Sequence, residues 1–335
     1  MIRGLFSRID LMVRLLLLAI VLASFFPASG QWHNIAQWIS NGGIFILFML
    51  NGMRLSRKDV VQGISKWRFL LPLVIWCFGI MALAGLGLSH LVAGALPAMV
   101  ALGFVFLGTL PSTVQSATAY SSIAGGNVAD SVVAAAFLNI LGVFITAPLF
   151  SLLAGSSNAG LASDGLVKIM LILVLPFAIG QVLQTWTASW IARHKSLVSW
   201  VDRLSIATAV YVAFSGAVEQ GIWTRLDTAG WAVLLGAIGA YLVFGFGGAW
   251  LAGGLLRFRR PEHISFLFAG AQKSTAMGAP LAMVLFSPAD AGLLMVPLLA
   301  YHLLQLVVSA PLAQRLAISG KLAKDVSVAG DRAHS

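Results

Sequence analysis

Gly108-Thr109-Leu110-Pro111-Ser112-Thr113-Val114-Gln115-Ser116-Ala117-Thr118 and Phe268-Ala269-Gly270-Ala271-Gln272-Lys273-Ser274-Thr275-Ala276-Met277-Gly278 interrupt two apolar runs lying about half a chain apart. In lipid, freed backbone groups and an ammonium are held only where protein or a watery cavity satisfies them. A matched pair of interruptions, one per half, points to the binding site of a membrane carrier. The expected fold class is an all-α polytopic membrane protein.

The bulk composition agrees. Of 335 residues, 59% are hydrophobic and only 10% charged, whereas a soluble domain carries about 25% charged residues. The net charge of +10 comes from Lys and Arg in short loops, as on the cytoplasmic side of a membrane protein, and no nucleic-acid surface is expected. The lone cysteine, Cys77, sits in an apolar run, which excludes an intrachain disulfide and gives no thiolate metal cluster.

A spanning helix needs about 20 mainly apolar residues. Ten stretches qualify: 11–28, 35–53, 69–92, 96–124, 128–153, 166–191, 204–221, 231–256, 264–286 and 293–313, with the fourth and ninth broken. Small residues after the first stretch resemble a cleavage site, but Asp10 and Arg14 intrude at its start, so it is read as a span rather than a signal peptide. One side of the membrane receives Arg54, Lys66, Arg68, Arg193, Lys195, Arg257, Arg259, Arg260, Arg315 and other basic residues, the opposite side only Lys168 and Arg225. This asymmetry places both termini in the cytoplasm. Five spans fall in residues 1–160 and five in 161–319. Five is odd, so the second group enters inverted, with a broken helix fourth in each repeat. Gly155-Ser156-Ser157-Asn158-Ala159-Gly160 forms the joint, and residues 320–335 are expected to be a disordered cytoplasmic tail.

Pro111 removes a donor and clashes with the preceding turn, so the helix breaks near Leu110. Ser112, Thr113, Gln115, Ser116 and Thr118 offer oxygens and an amide where carbonyls are freed. They suit a dehydrated Na⁺ or simply satisfy a kinked backbone. Lys273 is sharper, since a charge at the bilayer centre costs ~3 kcal/mol or more. It binds an anion, stands in for a coupling cation, titrates, or bridges freed carbonyls as a fixed structural cation. Ser274 and Thr275 follow it. Asn127 and Asp130 read as the cap of the next helix, with Asp130 also the nearest acid to Lys273 in sequence. Ser131 and the deeper Asn139 lie on that same helix. His302 and Gln305 share one face of the tenth span, and an interhelical hydrogen bond explains this histidine more simply than a proton relay. Gln181, Gln184, Asp202, Arg203 and Glu219 read as interfacial. Trp32, Trp38, Trp67, Trp186, Trp190, Trp200 and Trp223 read as a membrane-interface belt.

Two motifs carry a resemblance: Leu110-Pro111-Ser112-Thr113-Val114-Gln115-Ser116 followed by Ser122-Ile123-Ala124-Gly125-Gly126-Asn127-Val128, and Gly270-Ala271-Gln272-Lys273-Ser274 with Tyr301-His302-Leu303-Leu304-Gln305. The first resembles the broken fourth helix of bile acid:sodium symporters. The second is similar to their symporter-like branch, which holds bacterial proteins of unassigned substrate and the vertebrate member-7-type carrier. The resemblance implies ten helices in two inverted repeats, a core and a panel domain, and broken helices crossing in the core. It places Ser116, Thr118, Ser131 and Gln272 near sodium ligands. It also implies a bacterial inner-membrane protein. The departures are Phe268 where the family has a sodium-binding acid, and Lys273 where it has a neutral amide. Lys273 is therefore expected to replace one Na⁺, leaving one Na⁺, H⁺ or no ion to couple.

The expected function is secondary active transport of a small organic anion in the lipid bilayer, with no cofactor beyond Na⁺ as a coupling ion. A monomer is compatible with all of this. A sensor or scaffold on the same fold would need a larger cytoplasmic surface, and an enzyme would need a nucleophile–base pair or metal cluster that the spans lack. A pore suits broken repeats less well.

Overall fold

The computed structural model describes residues 11–54, 66–155, 170–219, 221 and 226–333, with side chains as far as Ser319. Apolar runs set the helices and proline or polar clusters end them. In chain order they are α1 (Leu11–Phe25), α2 (Gly30–Arg54), α3 (Trp67–Val74), α4 (Met81–Val92), α5 (Ala98–Thr109), α6 (Gln115–Ile123), α7 (Val128–Ala154), α8 (Leu175–Arg193), α9 (Lys195–Glu219), α10 (Thr228–Leu255), α11 (Arg260–Ala271), α12 (Thr275–Leu285) and α13 (Pro288–Ala333). A π-helical turn, Ile75–Ile80, joins α3 to α4 without interruption, and another, Met170–Val174, leads into α8. No strand occurs among the described residues.

Six helices are long and apolar enough to cross a membrane: Trp67–Val92, Val128–Ala154, Leu171–Arg193, Lys195–Glu219, Thr228–Leu255 and Pro288–Ser319. The four other expected spans fall short for physical reasons. α1 has 15 residues, about 22 Å at the helical rise. α2 has 25 residues but includes Gln31, His33, Asn34, Gln37 and Asn41. The fourth and ninth divide into pieces of 12 and 9 and of 12 and 11 residues.

Both breaks fall inside the two opening sequences. Leu110, pushed to extended geometry by the proline that follows, has φ −76° and ψ 147°, and helix resumes at Gln115. Gln272 is extended at φ −84° and ψ 146°, and helix resumes at Thr275 under a Ser274 cap whose Oγ accepts the Met277 N–H.

Packing separates two sets of helices. α2 lies against α8 and α9, and α1 packs on α9. Leu50, Met53, Ile191 and Val198 give this set its own small apolar cluster. The main core is built mostly by the remaining helices, with Phe104, Phe106, Phe150, Phe266 and Phe268 fully enclosed, and takes in residues of the first set such as Leu16, Leu47, Phe48 and Phe214. α9 bridges the sets by packing on α12 and α13. Trp32, Trp38, Trp67, Trp186, Trp190 and Trp200 are exposed, and Trp223 lies outside the described residues.

The backbone of α13 runs helically from Pro288 to Ala333, through most of the stretch read from sequence as a tail. Extending an existing helix carries no nucleation cost, so a polar sequence can continue it. Most of the proposed joint, residues 156–160, lies outside the described residues.

Candidate functional site

Breaking a helix leaves carbonyls without partners, and a buried carbonyl needs one. The first break satisfies its own by drawing on the second. Lys273, fully buried, donates from Nζ to Gly108 O at 2.8 Å, Leu110 O at 2.8 Å and Cys77 O at 3.0 Å. All three ammonium donors are thereby used. The Gly108 and Leu110 carbonyls belong to the negative end of α5, and Cys77 lies in the π-helical turn, a geometry that re-aims carbonyls. Pro111 O accepts the Ser274 N–H at 2.9 Å, and Ser112 O accepts from Asn139 Nδ2 at 3.0 Å. Gly142 gives Pro111 its seat: a Cβ there would lie 2.7 Å from the proline ring.

The second break is held from α13. Tyr301 donates to Ala271 O at 2.6 Å. The Gln305 amide clasps the Lys273 peptide from both sides, with Oε1 accepting its N–H at 2.8 Å and Nε2 donating to its carbonyl at 3.1 Å. His302 Nδ1 lies 2.9 Å from the same Nε2. Gln272 reaches the first break, where its Oε1 accepts from Thr113 at 2.5 Å and Ser116 at 2.6 Å, and its Nε2 donates to Ser309 at 3.1 Å.

The residues expected around Na⁺ divide. Ser116 and Gln272 hydrogen-bond to each other, and the buried Thr118 Oγ1 has no partner. Ser131 instead donates to Ser121 at 2.8 Å, which lies 3.1 Å from Ser265. Five residues separate Ser116 from Ser121 on α6, about 7.5 Å of helix. Asn127 caps α7 by accepting the Asp130 N–H. The Asp130 carboxylate pairs with Lys66, not with Lys273.

A cavity of about 390 Å³ lies between the two helix sets. Its floor is the two breaks, contributing Thr113, Val114, Gln115 and Ser116 from one and Ser274, Thr275, Ala276 and Met277 from the other. Asn139 and His302 also line it, while Met12, Asn51, Ser199, Asp202, Arg203 and Ile206 form the opposite wall. Pro111, Ser112, Ser131, Gln272, Lys273 and Gln305 are buried behind this surface rather than on it, and the half-buried Thr118 does not line it. The α9 residues here come from the end beginning at Lys195, and Asn51 lies beside Arg54. The cavity is therefore on the basic-loop side. Asp202 and Arg203, read from sequence as interfacial, are wall residues, and Asp202 accepts from Arg54 at 2.5 Å.

Sequence reasoning missed Ser309, Tyr241 and the Cys77 carbonyl. Ser309 repeats the His302 and Gln305 face at helical spacing and could have been found. Tyr241, which donates to Met81 O at 2.6 Å, and the Cys77 carbonyl have no such signal.

The first-turn N–H groups of Gln115 and Ser116 on α6, and of Thr275 and Ala276 on α12, have no acceptor among the described residues. The buried Thr275 Oγ1 also lacks a partner. Two helix N-termini thus open onto one cavity floor, an arrangement that attracts an anion. Three or more His, Cys, Asp or Glu side chains placed to hold a metal do not occur among the described residues.

Known proteins supply the context. Residues 10–318 match the SBF-like CPA transporter family. A Pseudomonas aeruginosa relative, named as uncharacterized protein PA2026, is 40% identical over 306 residues, covering 90% of this chain and 91% of its own. An Escherichia coli relative named "Putative symporter YfeH" is 34% identical over 321 residues, covering 93% and 94%. The mouse sodium/bile acid cotransporter 7 is 22% identical over 286 residues, 82% of each chain. These similarities describe a multi-pass membrane carrier of the bile acid:sodium symporter type, not an enzyme. The chain belongs to the SBF-like CPA transporter family.

Proposed function

We infer that the chain is a secondary active transporter that moves a small organic anion across the bacterial inner membrane by alternating access. Ten spans would form two inverted repeats, residues 1–160 and 161–319, with both termini cytoplasmic. The set containing α1, α2, α8 and α9 acts as the panel and the remaining helices as the core. The partners are the lipid bilayer and the anion, and the basic loops face lipid headgroups rather than nucleic acid.

One observation carries this reading: two half-helix N-termini with unfilled donors face a cavity between two helix sets. The anion's charged group sits against Gln115, Ser116, Thr275 and Ala276, and its body lies toward Ile206 and Leu306. Lys273 supplies a tethered cation where the broken helices would otherwise need a free one. Sodium, which the mouse relative's name includes, is the default coupling ion. Its binding at Ser116, Thr118 and Gln272 would require Thr113 and Ser116 to turn their protons away from Gln272 Oε1.

Melting temperature of the detergent-purified protein tests both parts. A panel of small carboxylates and sulfonates at fixed ionic strength is expected to raise it saturably, because a ligand bound only to the folded state stabilises it. Comparing NaCl with KCl and choline chloride reads the sodium site. No stabilisation by any organic anion would sink the anion-carrier reading.

A further inference from the structure

We propose that His302 is the proton-binding site through which this carrier couples anion movement to H⁺. The proposal rests on the carrier reading above and sets H⁺ in place of sodium, its default coupling ion.

The geometry dictates the histidine's chemical form. The two bonds between Gln305 and the Lys273 peptide, at 2.8 and 3.1 Å, fix which end of the amide is oxygen, since reversal would set donor against donor. Nε2 therefore has one hydrogen on Lys273 O and the other directed at His302 Nδ1, 2.9 Å away. Nδ1 must accept. The ring is neutral with its own hydrogen on Nε2. A proton at Nδ1 would meet the Gln305 N–H, so the ring must turn or the amide must let go of Lys273. A proton on Nδ1 and the present Gln305–His302 hydrogen bond thus exclude each other, and where the ring is held in place the clasp is what gives.

That break is the right place for a coupling event. The clasped residue is the one whose ammonium holds the first break, so releasing it acts on both half-helices. His302 is 7% exposed and lines the cavity, where a proton from the basic-loop side can reach it. Other titratable groups stand around it. α9 presents Asp202 and Arg203 to the same cavity, with Asp202 held by Arg54. α6 presents Tyr120. From α10 comes Tyr241, committed to Met81 O, and on α13 itself Tyr301, committed to Ala271 O. α5 and α12 contribute none, and Lys273 has its donors on three carbonyls. A proton on His302 adds positive charge beside the two half-helix N-termini, so proton and anion favour each other's binding, and linkage makes the effect reciprocal. Both leave the site when the core rocks, with no net bond change.

Hydrogen exchange of the full-length protein, in choline chloride to exclude sodium, reads the clasp without needing a substrate. After correction for intrinsic rates, exchange at residues 272–274, whose N–H groups are hydrogen-bonded, is expected to rise roughly tenfold or more from pH 8 to pH 5.5, the size of losing one buried hydrogen bond. His302→Asn retains an acceptor for Gln305 and cannot titrate, so the rise should vanish. ¹⁵N-histidine spectra, assigned by that variant, should show His302 protonated on Nε2 alone at pH 8. Unchanged protection across this range in the unmutated protein would overturn the proposal, whether or not the variant folds. So would Nδ1 protonation at pH 8, or a rise that persists in His302→Asn. Carboxylates that stabilise equally at pH 5.5 and pH 8 would remove the coupling and leave the anion carrier standing. Failure of every carboxylate with an intact pH response would remove the carrier reading alone.

Discussion

An ammonium fully enclosed in protein is stable only with every donor matched, and Lys273 meets that condition through carbonyls alone. It therefore behaves as a cation on a tether, bridging the π-helical turn and the first break. Lys273→Ala leaves three carbonyls facing an empty site and is expected to cost roughly 3 kcal/mol, as when one partner of a buried charged contact is removed. The space so opened is lined by carbonyl oxygens, the ligands a hard cation prefers. Part of the loss should therefore return in NaCl and not in choline chloride, read as melting temperature of the variant against salt. Equal melting curves in the two salts would show that the site is shaped for an ammonium only. At this scale the sequence showed that a buried lysine needed a partner. It could not show which, because carbonyls carry no side-chain signature and the residue supplying one of them lies in the plain apolar run Ile75–Ile80. The acid nearest in sequence, Asp130, serves Lys66 instead.

Helix elements were the most legible part of the chain. Pro111 marked the first break to within a residue, because proline excludes both its own donor and helical geometry at the residue before it. The second break lacks a proline at its centre and was read from Gln272, Lys273 and Ser274, polar residues that an unbroken span would not hold. What stayed hidden was how each break is seated, since a glycine facing a proline 31 residues away has no local pattern. Gly142→Val would force the Pro111 ring aside and is expected to destabilise the protein by about 1–3 kcal/mol, as overpacking does, with Gly142→Ala milder. Thermal denaturation of the two variants checks the order. At the start of α11, Arg259 hydrogen-bonds Glu262 at 2.5 Å and holds its carboxyl below the usual glutamate range, with Lys66 adding a smaller pull. A depressed folded value means the contribution is present above the unfolded pKa and fades as pH falls through the folded one. Glu262→Gln should thus bring a small loss at neutral pH that disappears in acid, and a loss equally large in acid would remove this role.

For the molecule as a whole, composition and loop charge announced a membrane protein with one basic side, whereas the division into two helix sets came only from resemblance. Apolar faces that meet protein and those that meet lipid look alike in sequence, so contact between α9 and α13 was not readable. That contact decides which way the cavity opens. At the end of α9 away from Lys195, a Cβ on Gly216 would fall 2.6 Å from Ala289 N, and one on Gly292 would lie 2.5 Å from Ala217 Cβ and against Ala213 O. The two sets are therefore in backbone contact at this end, while the cavity separates them toward the basic loops. A large side chain in this seal should wedge it and shift the equilibrium toward opening on the opposite side, since a change that burdens one state populates the other. Ala276, exposed on the cavity floor, reports the result. With buried Cys77 as the sole native thiol, Ala276→Cys in sealed vesicles should react with an impermeant maleimide applied from the basic-loop side. Adding Gly292→Leu should slow that reaction and permit labelling from the other side. Equal labelling from both sides in both proteins would mean a continuous pore rather than a gate, and alternating access would then be the wrong description of this cavity.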